Sequence, residues 1–145
     1  MFFLPNSLKP PPPQMPIQQK PQPFDYQAAL CHLEERDARR SQTLAKRLAI
    51  AQADAAAIVK MIAEKYRPHR IWQWGSLIQT RHFSEISDID IGLEGLSDPC
   101  AIFAVLKDAE PMTDFPLDIV ELDRIAPEFA DIIRMKGRII YERQD

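Results

Sequence analysis

The sequence predicts an α+β fold: a small β-sheet with helices packed on one face, preceded by a long N-terminal helix. Three observations carry that prediction. Residues 26–66 contain neither proline nor glycine and are rich in Ala, Leu, Glu, Arg and Lys. Beyond them, short runs of β-forming residues alternate with helical patterns, in the order helix, strand, strand, helix, strand, helix, strand. The later helical patterns also carry their own punctuation, a Ser97-Asp98-Pro99 start for one and a Lys136-Gly137 stop for the other. A length of 145 residues suits one domain with one core and not two.

Residues 1–24 hold eight of the thirteen prolines, including Pro10–Pro13, and no acidic residue. Such a segment cannot bury enough surface to fold and reads as an extended arm. Its apolar start, Met1-Phe2-Phe3-Leu4, stops at Pro5, far short of a signal-peptide core or a membrane span. The expected organisation is therefore an arm over 1–24 and one folded unit over 25–145, divided into a helical segment (25–66) and a core (67–145).

Within the helical segment, Leu44, Leu48, Ala51, Ala55, Ile58 and Ile62 recur in steps of four and three, one face of a helix. Leu30 and Leu33 carry the seam back, but Asp37 and Arg40 interrupt it. A continuous helix of this length would span about 60 Å at 1.5 Å per residue, more than the width of a small domain. It either breaks near Arg40-Ser41 or projects, so residues 26–43 read equally as a partner surface or as half of a helical hairpin. The mixed charges from Glu34 to Arg40 mark a solvated face.

Pro68 ends the helix. His69–Trp74 then alternates as a short strand, with Ile71 on one face and Trp72 and Trp74, read as packing residues, on the other. Gly75-Ser76 closes it, and residues 76–83 form a short helix or ordered loop. Strand two is Asp88–Leu93, closed by Gly92 and Gly95. The next helix, capped by Ser97 or Asp98, presents Ile102, Phe103, Val105 and Leu106 as its apolar face. Strand three is Leu117–Leu122. The last helix starts near Pro127, is expected to bury Phe129, Ile132 and Ile133, and precedes a final strand at Ile139–Tyr141.

The chemistry concentrates in Ser87-Asp88-Ile89-Asp90-Ile91. Side chains two apart on a strand project the same way, roughly 7 Å apart at the backbone, so the two aspartates can share hard divalent cations. Ions in two-metal sites sit about 3.5–4 Å apart. Asp118, embedded in strand three, completes the acidic group, either as ligand to the metal that activates a hydroxyl or as acceptor of its proton. Gly75 permits a tight turn and close approach of a phosphate. Ser76 offers a hydroxyl and an N–H at an expected helix N-terminus. Composition argues against other functions: a net charge of −3 without a basic cluster offers no nucleic-acid track. Cys31 and Cys100 form no metal or redox motif and suit a reducing cytoplasm. His32, His69 and His82 read as solvated.

Trp74-Gly75-Ser76, Ser87-Asp88-Ile89-Asp90-Ile91 and Leu117-Asp118-Ile119-Val120, with the ending Lys136–Tyr141, resemble the DNA polymerase beta-like nucleotidyltransferase superfamily, and in particular its minimal nucleotidyltransferase (MNT) branch. The resemblance covers about residues 55–142. It implies a palm-like mixed sheet, two Mg²⁺ ions and an NTP substrate. Gly75 and Ser76 would bind the phosphates, Asp88 and Asp90 would be the metal-bridging pair, and Asp118 the third carboxylate. The chain departs from the pattern in reading Leu77-Ile78-Gln79-Thr80-Arg81 where many members have a small residue, Arg and Gly. Its interval from Ser76 to Asp88 is also one residue longer than the commonest form. Arg81 is the candidate for the missing basic role, and NTP affinity is the property at stake. The resemblance further implies transfer of AMP from ATP to a hydroxyl, on a HEPN-type helical partner in a toxin–antitoxin module more than on a polynucleotide; no membrane partner is expected, since the apolar start stops at Pro5. The alternative is a non-catalytic, antitoxin-like subunit that occludes such a partner through the 26–66 helix. A homo-oligomer through the same helix is a further expectation.

Overall fold

The computed structural model describes residues 2, 8–17 and 20–145. Of the expected arm, residues 2, 8–17 and 20–24 are exposed and carry neither helix nor strand; residue 1, residues 3–7 and residues 18–19 lie outside the described residues. Helix α1 (Tyr26–Lys65) runs 40 residues without a break. Asp25 caps its start, its carboxylate accepting from the Ala28 amide at 3.0 Å. The projecting form is thus the one adopted. Leu30 and Leu33 remain 58% and 44% exposed, whereas Ala51, Ala55, Ile58 and Ile62 are buried. An exposed ion pair between Arg40 and Glu85, 2.9 Å, is where the projecting half meets the domain. At the other end, Arg67 takes a left-handed conformation (φ 47°) and its amide donates to the Ile62 carbonyl, after which Pro68 ends the helix.

The remaining elements are β1 (Arg70–Trp74), β2 (Ile89–Glu94), α2 (Ala101–Ala109), β3 (Leu117–Glu121), α3 (Pro127–Lys136) and β4 (Arg138–Glu142). They build one mixed four-stranded sheet in the order β3-β2-β1-β4. β1 pairs antiparallel with both β2 and β4, while β2 and β3 run parallel because α2 carries the chain back between them. The fold is α+β, as the element order predicts. Among the described residues no helix is long and apolar enough to cross a membrane.

Strand alternation divides the packing in two. Ile71, Ile89, Ile91, Leu93 and Ile119 form one face, and on them sit Ile58 and Ile62 of α1 with Val105 and Ala109 of α2. The expectation of helices on one face holds for α1 and α2. Helix α3 packs on the other face, where Ala130 and Ile133 join Leu122 against Trp72, Trp74 and Val120. The reason is the pair of tryptophans, whose apolar bulk on that face needs a cover. Arg134 of α3 pins the same face through Glu94 at 2.7 Å. Consequently Phe129 and Ile132, expected to be buried, are exposed, and Phe103 of α2 is 72% exposed. Helix α2 also starts later than its cap signals suggest: Asp98 accepts from the Cys100 amide, 2.9 Å, in the turn before the helix.

The burial gradient along α1 predicts different costs for similar truncations. Ile58→Ala, at a fully buried position, is expected to lower unfolding free energy by about 2–5 kcal/mol. Leu33→Ala changes it by less than about 0.5 kcal/mol. Urea denaturation of both variants checks this, and equal losses would contradict the projecting helix.

Candidate active site

The site begins with one backbone hydrogen bond. The Ile89 amide donates to the Pro116 carbonyl at 2.9 Å, opening the parallel pairing of β2 with β3. That register sets Asp90 directly beside Asp118. Neighbouring strands lie about 4.8 Å apart and register partners project to the same face, so these two carboxylates rise together. They do so on the side opposite Ile89, Ile91 and Ile119, which are buried under α1 and α2. Asp88 falls one residue before the strand and is exposed, as is Asp118; Asp90, between them, is half-buried.

On its other side Asp90 is the partner of Trp74, so the turn after β1 lies against it. Gly75 there has φ +75°, and a Cβ built on it would overlap the Asp90 Oδ2 atom. Glycine is required twice over, for its backbone conformation and for the space the carboxylate occupies. Gly75→Ala should therefore cost roughly 2–4 kcal/mol from left-handed strain and overpacking together. Gly92→Ala should be tolerated, since the nearest atoms to its Cβ are 3.4 Å away. Thermal denaturation of the two variants tests the contrast.

The acids also share a field. Burial, then the charge of Asp118, then that of Asp88 push the Asp90 carboxyl up to about 6. None of the three acids has an ion-pair partner among the described residues. Glu94, on the same strand and face, shows the contrast: Arg134 and Arg70 neutralise it, at 2.7 and 3.6 Å. Cations are thus supplied at one end of the acidic row and withheld at the other. Among the described residues no three Asp, Glu, His or Cys side chains close into a metal-holding cluster; the aspartates share a face without forming a finished cage. Because the folded state raises the Asp90 pKa from 3.8 to about 6, the stability this group contributes is full below 3.8 and lost as pH rises through 6. Asp90→Asn should accordingly raise the melting temperature of the ion-free protein above pH 6 and leave it almost unchanged near pH 4. An equal gain at both pH values would show that neither burial nor the neighbouring acids raise the Asp90 carboxyl.

The phosphate-side candidates are placed less fully. Gly75–Leu77 is a single 3₁₀ turn, and no α-helix follows. The amides of Ile78 and Gln79 donate to the Gly75 carbonyl, 3.1 and 2.9 Å, as in a first helical turn, but the turn ends at Leu77, so Ser76 opens a single 3₁₀ turn and not an α-helix. Ser76 is half-buried in this turn. Arg81 lies in a second 3₁₀ turn (Thr80–His82), exposed, its Nε donating to His82 Nε2 at 3.2 Å. Ser87 Oγ accepts from the Ser84 amide, 2.8 Å, and so shapes the loop that delivers Asp88. Sequence reading missed Trp74 as the neighbour of Asp90 and the two arginines on Glu94. The Asp90-Gly92-Glu94 alternation was visible, but not which of its acids would be paired.

No family model and no curated protein matches the chain. Solved structures do. One is a toxin–antitoxin complex with AMP-PNP, 20% identical, with a TM-score of 0.53 over 62% of this chain and 74% of that one. Two others are mutant MntA toxin–antitoxin complexes. The one with two aspartates changed to glutamate is 19% identical, with a TM-score of 0.51 over 62% of this chain and 74% of the other. The one with a tyrosine changed to alanine is 21% identical, with a TM-score of 0.51 over 61% and 72%. At these identities the likeness establishes the fold alone: this chain shares its α+β fold with a chain of these toxin–antitoxin complexes.

Proposed function

We propose that the protein is a Mg²⁺-dependent nucleotidyltransferase that transfers AMP from ATP to a hydroxyl group of a partner protein, as part of a cytoplasmic toxin–antitoxin pair. The observation that carries this reading is the register pairing of Asp90 with Asp118 on one open face, with Gly75 cut back to glycine against Asp90. Hard oxygen donors that repel one another and have no cation partner suit Mg²⁺, which binds through few carboxylates and the phosphates of its substrate. Asp88, Asp90 and Asp118 would hold two such ions, which when bound supply neutralisation of the triphosphate charge and acidification of the attacking hydroxyl.

The chain's own groups do the rest. Gly75 lets the chain turn tightly beside Asp90, and the Ser76 hydroxyl in that turn is the proposed donor to a phosphate. Arg81, exposed and held only by His82, is the basic side chain available to the triphosphate. The acceptor oxygen attacks the α-phosphorus, its bond to the β-phosphate oxygen breaks, and pyrophosphate leaves. The proton of the hydroxyl passes to Asp118, the more exposed member of the pair. Positioning and charge neutralisation account for most of phosphoryl-group catalysis, so so sparse a site suffices. The HEPN-type helical partner is proposed from the family resemblance, and it is supported by solved structures of this fold that are toxin–antitoxin complexes, one of them with AMP-PNP.

One observation favours a second reading, a binding subunit that acts by covering its partner: the exposed first half of α1, with Leu30 and Leu33 open to solvent. Removing residues 1–43 distinguishes the two, since loss of partner binding with retained nucleotide binding would make the helix the working surface. For the enzyme, the Asp88→Asn/Asp90→Asn double variant is expected to lose Mg²⁺-dependent labelling of the partner from α-labelled ATP by at least about 10³-fold. Labelling that survives in the folded double variant would remove these residues from the reaction.

A further inference from the structure

A cavity of about 360 Å³ lies on the side of the sheet opposite the aspartates, where α1 crosses the β1–β4 edge. Gln52 and Val59 of α1, Gln73 of β1, Arg138 and Ile140 of β4, and Leu77 of the turn after β1 line it. Its polar groups are the notable part. Gln73 and Arg138 are register partners, so both reach the same side of the sheet. Among the described residues the side chains of Gln52, Gln73 and Arg138 make no hydrogen bond, and Arg138 is in no ion pair. Arg70, at the far end of the same strand pair, is held by Glu142 at 2.6 Å and by Glu94 at 3.6 Å. An unpaired guanidinium and two unpaired primary amides therefore border one recess whose other walls are aliphatic.

We propose that this cavity binds a planar heteroaromatic anion of about the size of a nucleoside monophosphate. Each part of the lining meets one part of such a ligand. The guanidinium suits a phosphate or carboxylate, which it can grip through two N–H groups. A primary amide offers a donor and an acceptor side by side, the pattern that the edge of a nucleobase complements. Val59, Leu77 and Ile140 give the flat body apolar contact. The volume falls within the range of small-molecule sites, at its lower end. Leu77 belongs to the turn that also contains Gly75 and Ser76, so an occupant presses on the rear of the segment that faces the aspartates. It would stabilise one position of that turn, which makes the cavity a regulatory site and not a second catalytic one. The inference stands independently of the transferase reading, since none of the aspartates lines the cavity.

The test is a titration of the full-length, ¹⁵N-labelled protein in EDTA with AMP, adenosine and inorganic phosphate, followed residue by residue by NMR. AMP should shift the amides of Gln52, Val59 and Ile140 saturably, and more tightly than adenosine or phosphate. Arg138→Gln should weaken AMP about tenfold, as loss of a charged hydrogen bond does. Ala56→Trp, at an exposed position on the cavity wall, should fill the space and abolish the shifts. Asp90→Asn/Asp118→Asn should leave them unchanged, which separates failure here from failure of the catalytic reading. The proposal is overturned if AMP moves only residues around Gly75, Ser76 and Asp90, if phosphate alone reproduces the AMP shifts, or if folded Ala56→Trp and Arg138→Gln bind AMP as the parent does.

Discussion

The parallel pairing of β2 with β3 is the constraint on which the rest of this structure depends. Strand side chains alternate with a period of two, so a slip of one residue would send Asp118 into the apolar layer beneath α1 and α2. The observed register avoids this because Ile89, Ile91 and Ile119 must all enter that layer. Burial of three isoleucines thereby positions two carboxylates it never touches. Hydrophobic burial is non-directional, yet through strand alternation it acts here as a positioning device.

The sheet's two faces are used differently. One is a conventional core, sealed by the second half of α1 and by α2. The other is shared between α3, which covers the tryptophans and neutralises Glu94 through Arg134, and an open end where Asp88, Asp90 and Asp118 lie without cations. Like charges in a partly buried setting are costly, as the raised pKa of Asp90 reports. In the proposed function a bound cation would offset that cost, beside a glycine turn.

Much of this was legible in the sequence. The element order, the Pro68 stop, the strand bearing Asp90 and the alternation of Ile71 against Trp72 and Trp74 follow from periodicity and punctuation alone. Three features were not. The first half of α1 carries the same seam as the second, interrupted by Asp37 and Arg40, and periodicity cannot tell a helix that projects from one that folds back. The faces of α2 and α3 were misread at Phe103, Phe129 and Ile132, because an apolar residue on a short helix is not thereby buried; the small Ala109 and Ala130 pack inward instead. The segment after Gly75, read as a short helix or an ordered loop, forms two 3₁₀ turns, a choice that a window this short and without clear periodicity leaves open.

The sequence by itself determined which residues carry charge, where the chain must turn and which strand faces are apolar, because these are properties of side chains and of local backbone freedom. Only the tertiary structure decided that Asp90 stands beside Asp118, that Glu94 is neutralised while its strand neighbour is not, and that α3 covers the tryptophan face. Those outcomes hinge on which strands become neighbours and in what register, and that is fixed by the joint burial of residues far apart in the chain, a global condition that no local window contains.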